Sequence, residues 1–223
     1  MRTVDRLYSY VVGGPAKNGA SRVQKLHLLY IDGGRVARDR AIDPILDALE
    51  SDVHGVSAVL SPRRVFVHAG VVGWNNRAIV IPGISESGKT TLVAELVRAG
   101  ATYYSDEYAV LDGKGRVHPF AKPLSIRGDG ERSAAELGGT VGSKPLPVGL
   151  IAFAPYREGA AWRPRESSAA EGALELLKHT IAIRSDPPRA VAAVRAATGR
   201  ARILRGNRGE AAEIARELLA LVS

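Results

Sequence analysis

The 223-residue chain contains no cysteine. Disulfide scaffolds, thiolate zinc sites, iron–sulfur clusters and cysteine nucleophiles are therefore excluded together. Aromatic residues are scarce, at 5%, with three Phe, two Trp and seven Tyr. That leaves few platforms on which the bases of a nucleic acid could stack. No apolar run approaches the roughly 18 residues that a bilayer-spanning helix needs, so no membrane partner is expected. The opening segment Met1-Arg2-Thr3-Val4-Asp5-Arg6 meets charge at once and has no apolar signal core. A cytoplasmic protein is the expectation.

What is present is ordinary globular material, with 45% apolar and 24% charged residues, enough for a sizeable core. Lys and Arg number 31 against 23 Asp and Glu, a formal net charge of +8. Its densest part is a set of eight arginines between Arg184 and Arg216. No basic block of five or six residues occurs, so nucleic acid is not the expected partner; a surface for phosphates or acidic peptides is.

Along the chain, Leu7–Val12 and Arg22–Ile31 read as strands, followed by a helix that opens at Asp43-Pro44 and closes at Gly55. Next come two apolar strands, Val65–Val72 and Ala78–Ile81, joined by a polar turn at Gly73-Trp74-Asn75-Asn76. A glycine-containing loop leads to a helix over Lys89–Arg98, then a strand near Thr102–Tyr104. Short strands follow at Tyr108–Leu111, Arg116–His118 and Leu124–Ile126. The rest predicts a strand at Val148–Phe153, helices over Ala169–Lys178 and Pro188–Ala197, a strand at Ala201–Leu204 and a closing helix from Glu210 to Val222. Strand, loop, helix, strand is a βαβ signature, so the expected fold is α/β (mixed α+β), a central mixed sheet flanked by helices. Residues 1–60 are expected to form an N-terminal appendage on a domain spanning 61–223.

Gly83-Ile84-Ser85-Glu86-Ser87-Gly88-Lys89-Thr90 satisfies G-x-x-x-x-G-K-[ST], a pattern expected by chance in roughly one shuffled sequence in a hundred. It follows an apolar strand and opens a helix, the order a phosphate-binding loop requires. Phosphate oxygens need many donors at close range, which the backbone N–H groups of a curled loop and the start of a helix supply. Gly83, Ile84, Ser85, Glu86, Ser87, Gly88, Lys89, Thr90 and Thr91 are accordingly the expected nucleotide contacts. Lys89 reaches the β- and γ-phosphates, and the Thr90 hydroxyl ligates Mg²⁺.

The next strand ends in Ser105-Asp106-Glu107, two carboxylates where an open α/β sheet places its site. One suffices to hold Mg²⁺ through water; the other can accept a proton from an alcohol. Asp106 is the expected general base and, with Glu107, a metal-side carboxylate. His68, in Val67-His68-Ala69-Gly70, is a lone histidine among apolar residues, as a rule a core side chain. Here the following strand feeds the phosphate loop, which brings it near the phosphates. Arg127 offers a bidentate fork for a transferring phosphoryl group, or is an exposed strand-end arginine. Lys178, His179 and Arg184 occupy a polar stretch that reads either as a contact for the acceptor or, by the ordinary rule for such residues, as solvated.

Val67-His68-Ala69-Gly70, the strand into Gly83–Thr91, Gly100-Ala101-Thr102 leading to Ser105-Asp106-Glu107, and Lys122-Pro123-Leu124-Ser125-Ile126-Arg127 together resemble the HPr kinase/phosphorylase superfamily. The likeness is to its shorter members, including kinases of lasso-peptide biosynthetic clusters, and covers about residues 65–127. It implies ATP and Mg²⁺ as cofactors and a Ser hydroxyl of a peptide or protein, such as a precursor peptide or an HPr-like protein, as acceptor. It implies Asp106 as base, His68 and Lys89 on the phosphate side, and Thr90 and Glu107 beside the metal. A homo-oligomer is compatible with it. Glu86 stands where the family carries Gly, and no counterpart of the C-terminal arginine-glycine signature is found. The alternatives are a nucleotide-binding regulatory or assembly module, which Glu86 favours, and a small-molecule kinase.

Overall fold

A computed structural model describes residues 26–31, 33–84, 87–126, 128–183 and 185–222. The strand expected at Leu7–Val12 and the first part of that expected at Arg22–Ile31 lie outside them. The chain divides into two compact units, 1–57 and 58–223.

In the first unit, β1 (His27–Ile31) pairs antiparallel with β2 (Gly34–Asp39), with a register shift between Leu29 and Tyr30. Helix α1 (Asp43–Leu60) continues through Gly55. The expected stop at Gly55 is corrected. A glycine inside a helix costs about 1 kcal/mol relative to alanine, but it keeps its N–H and C=O, so the helical hydrogen bonding can continue through it.

The second unit is an α/β fold around a mixed eight-stranded sheet. The strands β3 (Val65–Trp74) and β4 (Arg77–Pro82) form a hairpin with Trp74 opposite Arg77. Asn75 and Asn76 take φ of 47° and 57°, the left-handed pair that a two-residue turn demands. After β4 come α2 (Lys89–Arg98), β5 (Thr102–Ser105), β6 (Tyr108–Leu111) and β7 (Arg116–His118). The small hairpin β8 (Leu124–Ile126) and β9 (Gly130–Arg132) precedes the long β10 (Leu146–Phe153). Then follow β11 (Arg165–Glu166), α3 (Ala169–Lys178), a single 3-10 turn at Ile181–Ile183, α4 (Pro187–Thr198), β12 (Arg202–Arg205) and α5 (Ala211–Ala220).

The sheet order is β11–β12–β10–β4–β3–β6–β7, with β5 also on β3. Strand β10 runs parallel to β4 and β12, whereas β3 is antiparallel to β4 and to β5. Thus β4, β5, β10 and β12 all end at the same side of the sheet. Strand β3 has three partners: Val65–His68 pairs with β6, Val71–Gly73 with β5 and Ala69–Trp74 with β4. Because β7 also pairs with the start of β10, the path β10–β4–β3–β6–β7 returns on itself.

Both faces are covered. Ile79 and Ile81 of β4, Leu150 and Ala152 of β10 and Leu204 of β12 pack with α2 and α5, while Val80, Ile151, Phe153 and Ile203 pack with α3 and α4. Strands buried on both faces read as continuous apolar runs, which is why Ala78-Ile79-Val80-Ile81 shows no polar alternation. Helix α2 lies so close to β3 that a Cβ on Gly70 would stand 2.5 Å from Val93 Cγ2. Gly70→Ala should therefore overpack this contact and lower the unfolding free energy by about 1–3 kcal/mol. Urea denaturation checks it, and an unchanged midpoint would show that α2 can move off the sheet freely.

Candidate active site

The chain leaves the sheet at the end of β4 and turns through Gly83 to Gly88 before α2 begins. Ser85 and Glu86 lie outside the described residues, as do Arg127 and Arg184. The Gly83 N–H donates to the His68 carbonyl (3.2 Å), which ties the loop's first residue to β3. A Cβ on Gly83 would come 2.5 Å from Ser87 Oγ, and that hydroxyl is buried with no partner among the described residues. Gly88 caps α2 in the left-handed conformation, φ 80°, and no side chain caps the first turn. Open N–H groups, an idle hydroxyl and the helix dipole converge there, a donor set suited to phosphate oxygens.

Lys89 folds back onto its own loop, its Nζ donating to the Ile84 carbonyl at 2.6 Å. Burial holds its ammonium below the usual lysine range, against the opposing pull of Asp106 and Glu107.

The carboxylate pair sits at the bend between β5 and β6, which run in the same direction along β3. Ser105 Oγ accepts from the N–H groups of Glu107 (3.1 Å) and Tyr108 (3.0 Å), and the Glu107 carbonyl accepts from Ala69 N–H (3.0 Å). These bonds fix the bend beside β3. Asp106 is buried. Its Oδ2 accepts from Thr90 Oγ1 (3.0 Å), so the helix that begins at the loop reaches across to the pair. Its Oδ1 lies 3.0 Å from the Tyr103 hydroxyl, which is also 2.9 Å from the Lys122 carbonyl. One phenolic proton serves two acceptors, and burial, with Asp106 next, pushes that phenol far above its ordinary range. Glu107 takes a separate set of partners: Lys122 Nζ at 2.5 Å and the Tyr108 hydroxyl.

Thr90 and Asp106 thus present a hydroxyl and a carboxylate oxygen side by side. Mg²⁺ keeps most of its water and asks for only one or two protein oxygens beside substrate phosphates, so this pair fits it. No group of three or more His, Asp or Glu side chains among the described residues could hold a metal.

His68 stands on β3, its ring 5.0 Å from that of Tyr108. Its N–H donates to the His179 carbonyl (2.8 Å), so β3 meets the end of α3 here. Burial, then Lys89, lowers the His68 pKa, against a raising effect of Glu107; burial likewise lowers that of His179. His179, expected in solvent, lines a cleft instead. Lys178 does point outward and pairs with Glu175 (2.9 Å).

Arg208 carried no signal in the sequence beyond being one arginine among many. It is 2% exposed, with Nη2 donating to the Gly88 carbonyl (2.8 Å) and Nη1 to the Gly209 carbonyl (2.9 Å). Its guanidinium lies 5.4 Å from the centre of the Tyr156 ring. A Cβ on Gly88 would strike Nη2 at 2.5 Å, so the left-handed turn and the arginine behind it are fitted to each other. A cleft of about 480 Å³ opens beside the loop, lined among others by Lys89, Phe153, His179, Arg205, Asn207 and Arg208.

No family model matches the chain, and no curated protein matches it. Among solved structures, it is similar to the HPr(Ser) kinase/phosphatase from Coxiella burnetii at 14% identity, with 70% of this chain and 93% of that chain covered and a TM-score of 0.39.

Because both histidines have folded pKa values below 6.5, the unfolded chain binds more protons once the pH falls through that value. Their contribution to stability is therefore present above about pH 6.5 and declines as the pH falls below it. Urea unfolding should give a smaller free energy at pH 5.5 than at pH 7.5, and the double substitution His68→Gln, His179→Gln should flatten part of that slope. An identical slope in the double variant would show that neither imidazole is held neutral by the fold.

Proposed function

We propose that the chain is a Mg²⁺- and ATP-dependent kinase that transfers the γ-phosphoryl group to a hydroxyl, a Ser of a peptide or protein. The observation that carries this reading is the 3.0 Å contact of Thr90 Oγ1 with Asp106 Oδ2. It joins the first turn after the phosphate loop to a buried carboxylate on the next parallel strand. A loop that holds phosphates and a group that accepts a proton thereby share one site.

In this reading the N–H groups from Gly88 onward and the helix start hold the β- and γ-phosphate oxygens. Lys89 gives up the Ile84 carbonyl for the phosphates, and its lowered proton affinity is restored by their charge. The acceptor hydroxyl faces Asp106. As its oxygen bonds to the γ-phosphorus, the bond from phosphorus to the β,γ-bridging oxygen breaks, its proton passes to Asp106 and ADP departs. When bound beside Thr90 and Asp106, Mg²⁺ offsets charge on the phosphate oxygens. Tyr103 and Thr90 hold Asp106 in one orientation. Glu107, engaged by Lys122 and Tyr108, shapes the site's charge. A kinase drawing on ATP and carrying no membrane-length apolar helix among its described residues suits the cytoplasm.

One observation favours a second reading, a nucleotide-binding module without transferase activity. Both Asp106 oxygens already have partners, an anchor's environment as much as a base's.

The two separate by experiment. Asp106→Asn should keep ATP binding within a few-fold while turnover on γ-labelled ATP and a pool of Ser-containing peptides falls by about 10²–10⁴. Lys89→Ala should weaken ATP binding itself, read by calorimetry. Intact binding with no label transfer in the unaltered protein would select the module, and unchanged affinity in Lys89→Ala would remove the phosphate loop from the account.

A further inference from the structure

The cleft runs from His179, near β3, past the phosphate loop to the ends of β10 and β12. Across the sheet the strands run β5–β3–β4–β10–β12. Asp106 follows β5, two strands to one side of the loop-bearing β4. Phe153, Pro155, Arg205, Gly206 and Asn207, from the ends of β10 and β12, form the cleft on the other side. Neighbouring strands stand about 4.8 Å apart, so Asp106 and the far cleft wall are separated by roughly 19 Å with the loop midway. A triphosphate on that loop has two unlike ends. The γ end must face the acceptor hydroxyl and hence Asp106, which sends the other end toward β10 and β12.

We propose, resting on the kinase reading above, that this cleft seats the nucleoside of ATP. The base lies on the open face of the Arg205 guanidinium, which itself covers the buried Phe153 ring, with Asn207 and the strand-end backbone reading its edge. The guanidinium carbon is 5.6 Å from the ring centre, and Arg205 is held there by Glu175 at 3.1 Å. Glu175 in turn pairs with Lys178, so the stacking surface is fixed before any ligand arrives. A guanidinium plane is one of the side-chain surfaces on which bases stack. The side-chain amide of Asn207 offers a donor beside an acceptor, the complement of the adenine edge. The volume, about 480 Å³, lies within the roughly 300–1,000 Å³ usual for small-molecule sites. An acidic acceptor segment suits the same space poorly, because the Glu175 carboxylate is part of its lining. Hydrogen bonding from Lys178 holds that carboxyl below its usual range, so it stays charged.

The test compares ATP with inorganic tripolyphosphate, each with Mg²⁺, by calorimetry on the full chain. The unaltered protein should prefer ATP by roughly tenfold or more, the contribution of one stacked base. Asn207→Ala and Arg205→Ala should each lose most of that preference while tripolyphosphate binds as before. Equal affinity for the two probes in the unaltered protein overturns the nucleoside seat and leaves the phosphate loop standing. A preference that survives both substitutions overturns it too, as does a substitution that weakens both probes alike, since that places the residue at the phosphates. Binding of neither probe removes the kinase reading and this assignment with it. Should Arg205→Ala fail to fold on thermal melting, Asn207→Ala, at an exposed position, decides alone.

Discussion

Strand β4 is enclosed on every side, and the site follows from that. Its edges are taken by β3 and β10, and helices cover both of its faces. Ile79, Val80 and Ile81 are at most 2% exposed, and each such side chain contributes about 1.5–3 kcal/mol relative to remaining in water. The strand cannot shift register by one residue without exchanging its two buried faces. The point where the chain emerges at Pro82 is thereby set by the core. The close approach of α2 to β3 at Gly70 then sets how tightly the loop must curl between them. Core burial, rather than any preference of the loop itself, positions the loop's backbone.

Charge is arranged asymmetrically about that loop. On one flank stand Asp106 and Glu107, partnered by Thr90, Tyr103, Lys122 and Tyr108. Behind it stands Arg208, buried and held by carbonyl oxygens and an aromatic face. Burial lowers its proton affinity first, and Glu210 and Tyr156 oppose that. A guanidinium remains ionised in proteins, so its charge is directed at the loop rather than spent on a bound carboxylate. Donors and positive charge thus lie under the loop, and carboxylates to one side of it.

The motif-bearing part of this architecture was legible. An apolar tetrapeptide, the glycine-lysine loop and apolar residues at helical spacing announced β4, the loop and α2, and the helix bounds Lys89–Arg98 agree with the expectation. The elements that escaped are those without a pattern of burial. Strand β2 reads Gly-Arg-Val-Ala-Arg-Asp and is largely exposed, while β11 has only two residues. Within the site, residues close in sequence were readable and those brought together by the fold were not. Arg208 and Gly88 are 120 positions apart, and no local spacing could connect them. His179 reads as solvent-facing because Lys178 beside it is, yet the end of α3 turns it toward β3. Tyr103 was visible only as a strand residue; its contact with Asp106 depends on a bend at 106–107, between β5 and β6, that no hydrophobic period encodes.

The return of the strand path β10–β4–β3–β6–β7 upon itself has a consequence beyond the site. Open sheet edges are templates for pairing with other chains, and proteins blunt them with short strands or by closure. Closure here leaves only two ends of the large sheet, β11 with two residues and β5 with four, and β5 is met on its outer side by a bridge from Tyr103 to Val141. The long, strongly apolar strands that build the core are all interior. The same wiring that aims the loop also shields the most amyloid-prone segments from intermolecular strand addition.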